Sequence, residues 1–263
     1  MYPQSRANMQ NLQADMANNK IDFAITLAAY FPRKTGSISN EQVLSATKDY
    51  DNIIVFGSLD IENNLDQGVA ELRRLLEDEK IFGIKLYPGY QFFYPSDQKI
   101  DAVYELALEF NVPVMFHSGL AYKSPGGIKY SRPIHFDDVA GKFPELRIII
   151  SHLGDPNTKE AVAVAHKNPN VYLDFSGLIS NTTKSTIKED KWKRKNEDMI
   201  VKTVAEAMTD LMGTEKFIFG TDWPISSYES SLRLVDSLEE ILELNKEEKA
   251  QILSKNILKV LGI

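Results

Sequence analysis

"FIFGTDWP", residues 217–224, is a run of aromatic and β-branched residues that ends in Asp222 and is followed by Trp223 and Pro224. A strand built for burial that stops at a carboxylate places that carboxylate at one end of a sheet, and the bulky Trp-Pro pair fixes the chain just beyond it. Six other runs have the same form: "IDFAITL" from 21, "NIIVFGSLDI" from 52, "IFGIKLYP" from 81, "VPVMFHSG" from 112, "RIIISHLG" from 147 and "VYLDFSG" from 171. All are nearly continuous in hydrophobicity, the pattern of strands covered on both faces. Seven strands are predicted, and the pattern points to a parallel arrangement.

Helix-period segments separate them. Leu65, Val69, Leu72 and Leu76 follow the second run, and Val103, Tyr104 and Ala107 follow the third behind Ser96. Asn157 with Glu160, and Ser226 with Glu229, have the spacing of capping boxes. Strand starts recur at intervals of roughly 25–45 residues, as βαβ units of about 30 residues require. No linker-like composition breaks the series, so residues 1–263 are expected to form one domain.

The bulk composition narrows the function classes. With 263 residues, 43% hydrophobic, the chain is long enough for one substantial core. A formal charge of −7 supplies no basic face for nucleic acid. The absence of cysteine rules out disulfides and thiolate metal sites, leaving histidine and carboxylate as ligands. No signal-peptide core and no stretch long enough to span a bilayer is seen, so a cytoplasmic protein with a small-molecule substrate and no membrane partner is expected, with a homo-oligomer left open.

A parallel series of this kind forms either an open doubly wound sheet or a closed (β/α)8 barrel, and both place function beyond the carboxyl ends of the strands. No run is followed by the Gly spacing of a phosphate-binding loop. Instead the strand ends carry Lys85, His117, His152, Asp174 and Asp222, which meet only if the strands form a ring. A single strand-end histidine is usually structural. Of four histidines in the chain, however, His117 and His152 hold the same relative place, each closing an apolar run shortly before a glycine. His166 reads as a surface residue at a helix end, and His135 as structural or lining the mouth. Lys85 has several open roles: snorkelling, pairing with Asp222, binding a substrate carboxylate, or metal binding if carbamylated. Asp174 is expected to orient neighbouring backbone.

The series "GIKLYPGY", "VPVMFHSG", "FDDVAGKFPELRIIISHLG", "VYLDFSG" and "FIFGTDWP", followed by "ILSKNILKVLGI", resembles the amidohydrolase superfamily from about residue 9 to the end. Within it, the series resembles specifically the amidohydrolase-related branch, which includes metal-dependent hydrolases and the aminocarboxymuconate-semialdehyde decarboxylase type. The resemblance implies a (β/α)8 TIM barrel with a divalent metal, usually zinc, at the carboxyl face. His117 would match the fifth-strand ligand, His152 the sixth-strand histidine that binds metal or holds water, and Asp222 the eighth-strand ligand and proton acceptor. A metal-activated water would then hydrolyse a small carboxylate, lactone or amide, with Lys85 and Arg132 as substrate contacts. The alternatives are a decarboxylase of the same branch and a metal-free binding scaffold.

One departure stands out. The family's first strand carries a His-x-His pair, whereas here no histidine precedes His117, and Met9, Leu12 and Met16 form a helical pattern where a first helix would lie. The expectation is a barrel without strand one, truncated relative to a working enzyme, open along one seam and holding metal at low occupancy. A degenerate barrel that binds without turnover, or a strand lent by a partner chain, are the other readings. The segment 178–199 is expected to be a loop shaping the pocket.

Overall fold

The computed structural model describes residues 7–31, 36–121, 126–179 and 187–263, without the side chains of 187–195. All seven strands form where the apolar runs lie: β1 (Ala24–Leu27), β2 (Ile53–Phe56), β3 (Ile84–Leu86), β4 (Val114–Phe116), β5 (Ile148–Ile150), β6 (Val171–Asp174) and β7 (Phe217–Ile218). Every ladder is parallel. The strands follow in chain order as a two-stranded piece, β1-β2, and a five-stranded piece, β3 to β7, joined by a bridge between Gly57 and Ile84. Among the described residues no ladder joins β7 to β1. The architecture is a (β/α)8-type TIM barrel with an open seam.

Helices precede β1, separate successive strands and follow β7. They are α1 (Met9–Asn18), α2 (Asn40–Thr47), α3 (Leu65–Glu77), the short α4 (Pro88–Gln91), α5 (Asp101–Glu109), α6 (His135–Lys142) and α7 (Thr158–Lys167). They continue with α8 (Ile187–Asp210), α9 (Tyr228–Leu242), α10 (Lys246–Ala250) and α11 (Asn256–Leu261), a π-helical turn at Gln251–Lys255 linking the last two. Two cap expectations are corrected. Asn157 precedes α7 but makes no side-chain cap bond, and α9 is capped by Ser227, which accepts from the Ser230 amide, one residue later than expected. Ser226 instead donates to the Ile179 carbonyl. The expected loop 178–199 is also corrected, since α8 already begins at Ile187; residues 180–186 lie outside those described.

Side-chain alternation sorts each strand into an outer and an inner face. Val114, Phe116, Ile148, Ile150, Val171, Leu173 and Phe217 pack outward under the helices. Met115, Ile149, Tyr172, Ile218 and Phe56 form a separate inner cluster, which Val260 of α11 joins. The seam is covered from outside by α1: Leu12 and Met16 are buried with Tyr228, against Ala24, Ile53, Phe219 and Trp223 from both sides of the opening. The C-terminal segment ties down β7, with the Phe219 amide donating to the Ile252 carbonyl (3.0 Å) and Asn256 Nδ2 donating to the carbonyls of Thr214 and Phe217.

Candidate active site

The alternation that fills the barrel also builds the site. Two residues beyond the inner Met115 lies His117, two beyond Ile149 lies Ser151, and two beyond Tyr172 lies Asp174; Lys85 is inward between the outward Ile84 and Leu86. His152 breaks this rule. By alternation it would follow Ile150 outward, but it adopts φ +58°, and Leu153 φ +51°, the left-handed region that non-glycine residues seldom occupy. The turn carries the imidazole to the next strand end, where Nδ1 lies 3.0 Å from the Ser176 carbonyl and 3.1 Å from Ser176 Oγ. Donation from Nδ1–H to that carbonyl leaves Nε2 as the ring's basic nitrogen. Asp222 is likewise left-handed, at φ +59°. Backbone strain of this kind persists only where surrounding structure imposes it, and it concentrates at working sites.

The groups lie in one neighbourhood. The rings of His117 and His152 are 5.0 Å apart between centroids, at 67°. Gly177, at φ +70°, lies between His152 and Asp222, and a Cβ there would fall 3.0 Å from His152 Nδ1 and 3.1 Å from Asp222 Oδ2. Only glycine suits both that dihedral and that gap. His117 Nε2 is 3.1 Å from the Leu120 carbonyl. A wall of rings adjoins it: Tyr90 at 4.9 Å from His117, Phe31 at 4.9 Å from Tyr90, and Tyr87, whose hydroxyl donates to the Ala28 carbonyl.

Burial sets the electrostatics. Lys85 is 2% exposed and donates to Ser151 Oγ at 2.6 Å. Desolvation pushes its pKa down to about 8, against the upward pull of Asp174 and Asp222. Asp222 is raised by its own desolvation, an effect that His152 and Lys85 oppose and Asp174 reinforces. Burial also raises the Tyr87 phenol, with Asp222 contributing. Asp174 accepts the Ser176 amide at 2.5 Å, the backbone-orienting role expected of it.

Arg132 does not join this group. It is exposed and pairs with Glu160 of α7, away from the buried strand-end residues. His166 is exposed near the end of α7, and His135 bonds the Lys129 carbonyl beside Tyr94. Ser151, Ser176, Gly177 and Tyr90 were not anticipated. Alternation from Ile149 marks Ser151, but nothing local in the sequence marks Gly177.

The donor set of His117, His152 and Asp222 suits zinc or another divalent ion in chemistry. In spacing it does not: among the described residues, no three histidine, aspartate or glutamate side chains converge closely enough to hold one ion.

The amidohydrolase family model matches residues 1–263, the whole chain. The chain belongs to the amidohydrolase family. It is 27% identical over 184 residues to L-fucono-1,5-lactonase of Burkholderia ambifaria, a match covering 65% of this chain and 55% of that protein. The curated relatives it matches are covered over only 8% and 55% of their own lengths. Among solved structures, an uncharacterised TIM-barrel protein of Bordetella bronchiseptica superposes with a TM-score of 0.70 at 22% identity, covering 97% of this chain and 83% of that one. A dihydroxybenzoic acid decarboxylase of a Polaromonas species, with bound manganese and 2-nitroresorcinol, superposes at 0.69 and 15% identity over 98% and 88%. Amidohydrolase-family neighbours therefore include divalent-metal proteins and both hydrolases and decarboxylases. No helix among the described residues is long and apolar enough to cross a membrane.

Proposed function

We propose that this chain is a hydrolase of small lactones or related carboxylates and amides, using Asp222 as general base on the attacking water. The observation that carries the reading is the meeting of a raised, half-buried carboxylate with an oriented imidazole across Gly177, opposite a buried ammonium. A carboxylate held above its ordinary range is a stronger base than one in water. His152, its tautomer set by Ser176, accepts a hydrogen bond from the water at Nε2 and aligns it. Lys85, still mostly protonated at neutral pH, faces the negative charge that develops on the carbonyl oxygen or holds a substrate carboxylate. Asp222 then returns the proton to the leaving oxygen or nitrogen. The lactonase relative favours lactones among these substrates.

Zinc, or manganese as in the decarboxylase neighbour, would supply Lewis acidity and a more acidic water, and His117, His152 and Asp222 are its donors by chemistry but not by spacing. Because the spacing falls short of a coordination sphere, no step above depends on it, and purified chain is expected to carry well under one ion each by elemental analysis. One ion per chain would overturn that expectation. Substrate partners are small molecules, and a cytoplasmic setting accords with the absence of cysteine.

The test is a panel of lactones and unsaturated carboxylates assayed with and without added zinc or manganese. Turnover removed by Asp222→Asn supports the hydrolase. Carbon dioxide release in its place identifies a decarboxylase, and silence across the panel identifies a binding scaffold.

A further inference from the structure

Lys85 has a property that hydrolysis does not require. It is an amine at the carboxyl end of an inner strand, 2% exposed, with Ser151 Oγ as its hydrogen-bond partner and the Tyr87 ring 5.4 Å from Nζ. Among the described residues it forms no salt bridge, although Asp174 and Asp222 are near enough to act on it through space. Buried lysines are usually neutralised by a carboxylate in contact. An ammonium left in this setting is partly desolvated and has no counter-ion to displace before it reacts.

From this placement we infer a second activity: Lys85 Nζ forms an imine with the keto group of a small 3-oxo acid and so promotes its decarboxylation. The neutral amine attacks the keto carbon, and the carbonyl oxygen leaves as water as the C=N bond forms. Protonated, the imine accepts the electron pair of the C–C bond that breaks as carbon dioxide departs. The resulting enamine takes a proton at carbon, and water then releases the ketone and restores Lys85. No oxidant or second substrate is needed. Asp174 and Asp222 favour this course, because a substrate carboxylate beside two aspartates is relieved of repulsion when it leaves as neutral carbon dioxide. Ser151 Oγ holds Nζ at the strand end while it reacts.

The lowered pKa, a consequence of the same burial, accords with the inference. At pH 7.5 an amine of pKa about 8 has a neutral fraction on the order of a hundredfold larger than an ordinary lysine. The exposed lysines of the surface are the internal control.

The experiment incubates the full chain with acetoacetate and sodium cyanoborohydride at pH 7.5, followed by digestion and peptide mass mapping. The reduced adduct is expected on the peptide containing Lys85, at least about tenfold above any exposed lysine, given the neutral fractions. Labelling should rise as pH passes through about 8. The adduct and carbon dioxide release should both vanish in Lys85→Met. No adduct at Lys85, or adducts spread over lysines in proportion to their exposure, overturns the inference. Site mapping in the unaltered chain gives this answer even if Lys85→Met fails to fold. Because trapping needs no hydrolytic turnover, its failure is distinguishable from failure of the proposed hydrolase.

Discussion

The two arcs of the barrel are built from the same kind of strand and differ in what closes them. In the five-stranded arc, β3 to β7 are buried along their whole length and carry Lys85, His117, Ser151, His152, Asp174 and Asp222 at or just beyond their carboxyl ends. In the two-stranded arc, every residue of β1 is only half-buried, and its free edge is covered by α1 rather than by a ladder. The proposed chemistry sits on the arc whose neighbours fix it on both sides. The weaker arc supplies a wall: Phe31, and Ala28, which holds the Tyr87 hydroxyl. The arcs meet again at the seam, where Trp223 Nε1, next to Asp222, donates to Asp15 of α1 at 2.9 Å. The helix over the opening therefore also steadies the loop after the proposed base.

The largest expected effect tests where the chemistry lies. Asp222→Asn keeps the shape and removes the base, so hydrolysis of any lactone the chain accepts should fall by about 10²–10⁴, with circular dichroism unchanged. A variant that keeps its rate would move the base elsewhere on the arc.

Stability separates the arcs next. Ile149→Ala, in the inner cluster at full burial, should cost about 2–5 kcal/mol in denaturant unfolding. Ile25→Ala, at a half-buried position on β1, should cost distinctly less. Equal losses would show that the seam is as tightly packed as the ring. Between these lies Gly177→Ala, at roughly 1–3 kcal/mol from its positive φ alone. It should also lower the rate, because the new methyl must push His152 or Asp222 aside.

How much of this was legible in the sequence follows from how each feature is encoded. Continuous apolar runs give buried parallel strands with little ambiguity, and all seven appear where Ile, Val and Phe cluster. Alternation places Lys85 of β3 and Asp174 of β6 on the inner face, and it continues one residue past β4 to His117. The left-handed turn at His152 leaves no local mark, and only the "HLG" sequence and the family likeness brought that residue forward. The pairing of Arg132 with Glu160 was not legible, because a charged residue in a loop looks the same in sequence whether it faces a pocket or a neighbouring helix. That no three such donors converge among the described residues was not legible either, since residue types give donors but not the distances between them.

Lys85→Met sharpens the comparison through pH. The folded-state pKa of about 8 lies below the ordinary 10.5, so between these values the unfolded chain binds a proton that the native chain lacks. Stability from this group therefore rises with pH from about 8 to 10.5, and at pH 7 the full cost of burying the ammonium is felt. Lost hydrogen bonding to Ser151 offsets part of that cost, so Lys85→Met should stabilise the chain at pH 7 by about 1–3 kcal/mol. The gain should shrink toward pH 10.5. A variant that is less stable at pH 7 would mean that the amine holds the arc together, and the view of Lys85 as a functional strain would fail.

The smallest expected effect is at Arg132. Its guanidinium is half exposed and already paired with Glu160, and exposed ion pairs are screened by water and salt. Arg132→Ala should leave melting temperature, KM and kcat unchanged for any substrate that Asp222→Asn abolishes. The comparison makes this a strict test, because Arg132 lies on the loop between β4 and α6, which follows directly on His117 of the proposed site. A raised KM with unchanged kcat would mean that Arg132 leaves Glu160 to meet a substrate carboxylate. The loop, and not only the strand ends, would then belong to the site.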